Sequence, residues 1–272
     1  MAEKFVGCQQ NPHAVRFNNF AFRFFALVKM LLLRFIGCFV LLFHPLGMGK
    51  TEMKNAPLKV LRGVDVSHYQ KQIEWDSVAV KEPLDFAFVK ATEGQDYVDS
   101  LFCRNWDSLR KHGIRRGAYH FFRAYGCGEE QAQHFLERVE FEPGDLAPVL
   151  DLERTDGIAP EIMIEEATIW LQCVEKQLGV KPIIYTGFHF YENFLKGHFD
   201  HYPLWIARYN DEAPLLTTGK RWDFWQYSNQ GCLEGISEKV DLNVFPGTTE
   251  MLEKLCWYPK ETTVLEATTA RP

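Results

Sequence analysis

An apolar run ends in two carboxylates in the stretch Ala147-Pro148-Val149-Leu150-Asp151-Leu152-Glu153. Its length and composition predict a buried strand, and residues two apart in a strand point to the same face. The Asp151 and Glu153 side chains would then lie roughly 6 to 7 Å apart along the backbone. Taken alone, this motif fits a salt-bridged strand end better than a catalytic pair. Two neighbouring acids cost free energy, however, and acids at other strand ends shift the interpretation toward chemistry.

Seven further apolar segments have the character of short strands, and longer amphipathic segments separate the earlier ones. The predicted strands are residues 63–67, 86–92, 116–122, 147–153, 181–187, 204–209, 223–228 and 240–245. Helix-like segments at 100–112, 129–139 and 161–178 are long enough for right-handed crossovers between parallel strands. The later connections are shorter and rich in Gly, Pro and Asn. The spacing predicts an α/β fold, an irregular (β/α) TIM-like barrel with about five β/α units plus closing strands.

The charge of the chain is divided unevenly between its N-terminus and its body. The 272 residues carry a formal net charge of -6, but residues 1–50 hold six Lys and Arg against one Glu, a local balance of +5. The remainder is therefore near -11, since -6 minus +5 gives -11. An acidic body argues against a nucleic-acid partner, because phosphate recognition requires a basic face.

The N-terminal region has the pattern of a targeting segment. A basic stretch with four Lys and Arg at 16–34 precedes an apolar run at 35–43, which has the length of a signal-peptide core. The basic flank predicts that the body is exported, either anchored to the membrane through this segment and facing the cell envelope, or secreted if the segment is cleaved. A buried amphipathic helix is the alternative. The predicted organisation is a basic N-terminus with signal anchor or signal peptide at 1–58, a catalytic barrel at 59–258 and a flexible tail at 259–272.

Carboxylates, aromatic rings and amides recur at the ends of the predicted strands. In a parallel barrel, the carboxyl ends of the strands meet at one mouth, where such folds keep their active sites. Aromatic faces stack on sugar rings and polar edges bind hydroxyl and acetamido groups, so the set predicts a sugar-binding cleft. The catalytic candidates are Asp65, Asp151, Glu153 and Asp241. The substrate-binding candidates are Lys90, Tyr119, Tyr185, Trp205, Tyr209 and Gln226.

Eight ordered motifs resemble those of the glycoside hydrolase family 25 lysozymes, the Chalaropsis-type muramidases. They are GVDVSHYQ at 63–70, FVKATEG at 88–94, GAYHF at 117–121, VLDLE at 149–153, IYT at 184–186, LWIARY at 204–209, WQYS at 225–228 and VDLN at 240–243. The resemblance spans about residues 61–255. It implies an irregular (β/α) barrel that hydrolyses the β-1,4 bond between N-acetylmuramic acid and N-acetylglucosamine in peptidoglycan.

Roles for the acids follow as a hypothesis from this resemblance. Glu153 would act as general acid and later activate water. Asp151 would either stabilise the charged sugar or orient the substrate's 2-acetamido group as nucleophile. Asp65 and Asp241 would flank this pair and hold its protonation pattern. The chemistry requires no metal or organic cofactor, and the expected partner of a monomeric enzyme is the peptidoglycan glycan strand.

Three other functions are compatible with parts of the sequence. A chitinase-type barrel also uses acidic strand ends, but its D-x-x-D-x-D-x-E run is absent, because positions 146 and 149 are Leu and Val. A non-catalytic glycan-binding protein would keep the aromatic residues and lose the acids, all four of which remain. A membrane-tethered scaffold would leave the cleft residues unexplained.

Overall fold

Eight strands close into a barrel in the computed structural model, which describes residues 60–260. A ninth, two-residue strand, β3, pairs only with β2 outside the barrel. The strands are β1 Leu61–Val66, β2 Phe86–Glu93, β3 Tyr97–Val98, β4 Arg115–Phe121, β5 Val149–Asp151, β6 Ile183–Gly187, β7 Leu204–Ala207, β8 Phe224–Gly231 and β9 Val240–Phe245. Pairing of β1 with both β2 and β9 closes the cylinder.

The helices lie on the connections between strands. They are α1 Trp75–Lys81, α2 Phe102–Lys111, α3 Gly128–Arg138, α4 Pro160–Leu178, α5 Phe188–Phe190 and α6 Thr249–Glu253, with a 3-10 helix at His68–Gln70 and a π-helix at Tyr191–Leu195. The three predicted helices correspond to α2, α3 and α4 within two residues at each end. α1 and β3 were not predicted, because seven and two residues are too few for a clear periodic pattern.

The last strand runs against its neighbours, which corrects the prediction of a parallel barrel. β9 is antiparallel to both β8 and β1, whereas the other adjacent barrel strands are parallel. The fold is therefore a closed, mixed eight-stranded barrel. Asp241 reaches the mouth because it lies at the beginning of an antiparallel strand and not at the end of a parallel one. The predicted strand at 147–153 is also too long, since β5 ends at Asp151 and Glu153 follows it in the loop.

Aromatic residues fill the interior of the barrel below the mouth. Phe88 stacks on Trp205 with ring centroids 4.4 Å apart and meets Phe224 edge-on at 5.2 Å. Gly117 makes room for this packing, because a Cβ there would lie 2.5 Å from the Phe88 ring. A second apolar layer lies between the outside of the barrel and the helices. Because packed side chains fill the lower interior, the polar side chains further along the same strands lie at the open end of the barrel.

The predicted N-terminal segment at 1–58 and most of the predicted tail at 259–272 lie outside the described residues. Within residues 60–260, no helix combines the length and apolar content that crossing a membrane requires.

Candidate active site

A cavity of about 230 Å³ opens at the mouth of the barrel and brings together all ten predicted site residues. Strand-end reasoning missed Tyr69 and Phe121, which also line it. Both could have been found from sequence, since Tyr69 lies in the motif that follows β1 and Phe121 is the last residue of β4. The structure gives the placement of the ten residues, and their individual roles stay predictions.

Asp65 lies on the cavity floor and is held by two amides. Its Oδ2 accepts hydrogen bonds from Gln226 Nε2 at 2.8 Å and Asn243 Nδ2 at 2.7 Å. Burial, with a smaller contribution from the charge of Glu153, raises the pKa of Asp65 to about 6 against the lowering effect of these two bonds. Asp65 therefore titrates close to neutrality, unlike an ordinary aspartate.

The two amides are themselves fixed by side chains of the cavity wall. Gln226 Oε1 accepts from the hydroxyls of Tyr185 at 2.8 Å and Tyr209 at 2.9 Å. Trp205 Nε1 donates to Asn243 Oδ1 at 2.8 Å. Gln226 must therefore present its NH2 group to the carboxylate, since its oxygen is taken by two donors. Asn243 was not among the predicted site residues, although it belongs to the motif at 240–243.

Asp151 and Glu153 lie side by side at the end of β5. Asp151 is 6% exposed, and its Oδ1 has no hydrogen-bond partner within residues 60–260. Burial, and then the charge of Glu153, raises the pKa of Asp151 well above its usual range. Glu153 is accessible from the cavity, but the surrounding protein displaces enough water to raise its pKa, against the lowering charges of Arg154 and Lys90. This pair therefore keeps a proton at a higher pH than two isolated carboxyl groups would.

Lys90 is a cation that lines the cavity together with the four acids. Its Nζ donates to Glu93 Oε2 at 2.5 Å and lies over the Phe121 ring, 4.7 Å from the centroid. Glu93 is in turn held by Arg123, whose Nη2 lies 2.6 Å from Glu93 Oε1. The charge of Lys90 lowers the pKa of Asp151. Lys90 is thus a fixed positive charge that partly offsets the rise in the pKa values of Asp151 and Glu153.

Asp241 completes the cluster from the opposite wall. Burial, and then the charges of Asp65 and Glu153, raises the pKa of Asp241 to about 8. All four predicted acids therefore have raised pKa values, and they titrate as an interacting group.

Two further grooves extend from the cavity, and both are lined in part by Glu153. One, of about 580 Å³, passes between Tyr125 and Phe194. The other, of about 550 Å³, is lined by Tyr185, Phe188 and Arg208 among others. Glu153 therefore lies at the junction of an extended cleft, a shape suited to a polymer.

Comparison with known proteins decides the family. The sequence profile of glycosyl hydrolases family 25 matches residues 64–236, more than half of the chain. This chain belongs to glycosyl hydrolase family 25. The resemblance predicted from the eight motifs is confirmed. The matched region contains Asp65, Asp151 and Glu153 and ends before Asp241.

Individual relatives of this family 25 chain cover most of its length. The uncharacterized protein YegX of Escherichia coli (strain K12) is 43% identical over 206 residues, 74% of this chain and 75% of that protein. Lysozyme M1 of Streptomyces globisporus is 32% identical over 223 residues, 76% of each. The structure of a family 25 glycosyl hydrolase from Bacillus anthracis superposes with a TM-score of 0.67 at 36% identity, covering 71% of this chain and 92% of that one.

The arrangement found in this family 25 chain is suited to acid/base chemistry on a sugar. A carboxyl group with a raised pKa that faces an open cleft can donate a proton to a bound ligand. A second carboxylate with an unpartnered oxygen, Asp151 Oδ1, can accept a hydrogen bond from that ligand or face a positive charge on it. Exposed rings at Tyr69 and Tyr209, 72% and 52% exposed, offer surfaces for stacking.

Proposed function

We propose that this protein is a peptidoglycan hydrolase, an N-acetylmuramidase that cleaves the β-1,4 bond between N-acetylmuramic acid and N-acetylglucosamine. The observation that carries the proposal is the Asp151 and Glu153 pair, with raised pKa values, at the junction of an extended cleft. The family relative Lysozyme M1, which is named as a lysozyme, supports the same activity. Family membership supplies the reaction class, and the pair supplies the groups that such a reaction needs.

Glu153 acts first as general acid. Its raised pKa keeps it protonated at a higher pH than an ordinary glutamate, so it can donate a proton to the leaving glycosidic oxygen as the bond breaks. The resulting Glu153 carboxylate then accepts a proton from water, which attacks the anomeric carbon in the second step. One residue thus serves both half-reactions.

Asp151 assists from the buried side of the pair. When the proton that the pair shares lies on Glu153, Asp151 is the carboxylate of the pair. It then stabilises the positive charge that develops on the sugar, or it accepts a hydrogen bond from the 2-acetamido N–H and orients the acetamido oxygen for attack. Its unpartnered Oδ1 is the atom available for either task. Asp65 and Asp241 hold the protonation pattern, since ionisation of either one makes ionisation of the others less favourable.

The protein is further proposed to be exported and to work as a monomer, held to the membrane through the apolar run at 35–43 or released by its cleavage. The support is the basic flank and apolar run of the sequence. Fractionation of the source cell with an antibody to the barrel tests the location, and recovery only in the cytosol would contradict it. Sedimentation of the purified chain tests the monomer.

Mass spectrometry of the fragments that the purified chain releases from peptidoglycan sacculi tests the reaction. The expected products end in a reducing N-acetylmuramic acid. Products that end in reducing N-acetylglucosamine, or no products from sacculi combined with cleavage of chitin oligomers, would contradict the proposed bond specificity. Binding of sacculi without any release would indicate a glycan-binding protein instead.

A further inference from the structure

The groove that leads from Glu153 between α5 and the end of β7 contains an arginine without a carboxylate partner. The Arg208 guanidinium lies over the Phe188 ring, with its central carbon 4.7 Å from the ring centroid. Within residues 60–260 it forms no ion pair. Its main chain is fixed, because Trp225 Nε1 donates to the Arg208 carbonyl at 2.9 Å.

The other cations along the cleft are already paired. Lys90 lies 2.5 Å from Glu93, and Arg154 Nε lies 3.2 Å from Asp156 Oδ1 in the opposite groove. A guanidinium that stacks on an aromatic ring keeps its in-plane N–H donors free for a planar acceptor such as a carboxylate. Arg208 is therefore the cleft cation that is available to an incoming ligand.

The acid cluster makes such a cation useful for an anionic substrate. An anionic ligand that enters this mouth meets four carboxyl groups, and any that are ionised repel it. A neutral amino-sugar polymer meets no such repulsion and needs no cation. A cation in a side groove would hold the negative group of a substrate away from the acids while the glycan lies at Glu153.

We propose that Arg208 is a specificity-determining residue that pairs with a free carboxylate carried by a substituent of the glycan. This inference rests on the proposed muramidase function and makes it more specific. Peptidoglycan carries such carboxylates on the lactyl group of peptide-free muramic acid and on its peptide stems, and chitin carries none. Arg208 then favours peptidoglycan over neutral polymers of the same backbone.

The test compares Arg208→Gln with the unchanged chain on three forms of the same sacculi. The forms are native sacculi, sacculi whose carboxylates have been converted to amides with carbodiimide and ammonia, and peptide-free glycan strands that keep only the lactyl carboxylate. Two readouts are taken: the half-saturating substrate concentration for cleavage, and binding to each form in a Glu153→Gln background. The binding readout decides the role of Arg208 even if no form is cleaved, whereas absence of cleavage by the unchanged chain would contradict the proposed function alone.

Arg208→Gln is expected to weaken binding to native sacculi about tenfold and to amidated sacculi less than twofold, with kcat little changed. Arg208→Lys should recover part of the loss, because it restores the charge without the planar fork. If Arg208→Gln also weakens binding to peptide-free strands, the partner of Arg208 is the lactyl carboxylate. If it weakens binding to native sacculi alone, the partner is a carboxylate of the peptide stem.

The matched control is Arg221→Gln, which changes an exposed arginine just before β8 at the closed end of the barrel. This variant should bind all forms as the unchanged chain does. Equal loss of binding to native and amidated sacculi, or no loss of binding to either native sacculi or peptide-free strands, would overturn the proposal.

Discussion

Asp65 and Asp241 lie directly opposite each other across the antiparallel pair of β1 and β9. Directly opposed residues of an antiparallel pair point to the same face of the sheet, so the register places two acids together at the mouth. Their pKa values are raised to about 6 and about 8, for each chiefly by burial. The strand pairing that closes the barrel therefore also brings together two acids whose charges affect each other's protonation.

Asp241→Asn is predicted to stabilise the protein more at pH 8 than at pH 4.5. The folded-state pKa of about 8 exceeds the ordinary value of 3.8, so the folded state binds more protons than the unfolded state between these values. The unchanged protein therefore loses stability as pH rises from about 3.8 to about 8, whereas the amide of the variant does not ionise and causes no such loss. Allowing for solvent screening, the gain at pH 8 is about 1–2 kcal/mol, or about 3–6 °C in melting temperature.

Thermal unfolding at both pH values measures this effect. Asp211→Asn, which changes an exposed aspartate outside the cavity, is the control and should show the same difference from the unchanged chain at both pH values. An Asp241→Asn protein with equal gains at pH 4.5 and pH 8 would contradict the raised pKa.

Glu153→Gln is predicted to lower the rate of wall hydrolysis at least about 100-fold, because an amide can neither donate the proton nor later activate water. The substitution keeps the size of the side chain, so binding to sacculi should persist. Turbidity clearing of sacculi and a pelleting assay measure the two properties. Glu161→Gln, an exposed position in the first turn of α4, should retain activity. Unchanged hydrolysis by the Glu153→Gln protein would refute the general-acid role.

Lys90→Met is predicted to move the alkaline limb of the pH–rate profile to higher pH. The positive charge of Lys90 lowers the pKa of both Asp151 and Glu153, so its removal raises both values and keeps the acid protonated further into the alkaline range. The measurement is kcat against pH. Lys90→Arg keeps the charge and should leave the limb close to its original position. A limb that stays in place or moves to lower pH in Lys90→Met would rule out this electrostatic role.

Asp145→Asn is predicted to destabilise the barrel by about 3 kcal/mol, because a buried guanidinium loses the carboxylate that it contacts through two nitrogens and keeps only Glu142, whose Oε2 lies 3.5 Å from Arg116 Nη2. Arg116 on β4 is 2% exposed and pairs with Asp145 through Nε at 2.7 Å and Nη2 at 3.1 Å. The same guanidinium lies over the Trp106 ring at 4.0 Å and donates to the Trp106 carbonyl, so it cannot turn to solvent without loss of both contacts.

Urea denaturation measures the cost of Asp145→Asn. Asp76→Asn, which removes a surface partner of Lys111, is the control and should leave the midpoint almost unchanged. A midpoint shift no larger than that of the control would show that the Arg116 and Asp145 pair contributes little.

The sequence predicts the part of this site that depends on local pattern. Strand periodicity and polar strand ends identified Asp65, Asp151 and Glu153, because each follows an apolar run in its own segment. The sequence does not predict the direction of a strand, because an alternating pattern reads the same in both directions. The prediction that β9 is parallel to its neighbours was therefore wrong. The bond from Asn243 to Asp65 joins residues 178 positions apart, and only the closed register brings them together.

Gly117→Ala is predicted to destabilise the protein by about 1–3 kcal/mol, since the added methyl would overpack the barrel interior. Its Cβ would lie 2.5 Å from Phe88 Cδ1, and Phe88 cannot retreat because it is fully buried against Trp205. Gly187→Ala is the control: Gly187 is the last residue of β6 and has φ -72°, and a Cβ there would meet nothing within 4 Å. Thermal unfolding of both variants measures the difference.

The same substitution should also reach the acid cluster. The added methyl would press Phe88 against Trp205, which donates to Asn243 Oδ1, and Asn243 in turn donates to Asp65. If this chain of contacts positions Asp65, the Gly117→Ala protein should show an altered pH–rate profile at temperatures where it is still folded. An unchanged pH–rate profile together with a lowered melting temperature would show that the aromatic interior stabilises the fold but does not affect the pKa values of the site.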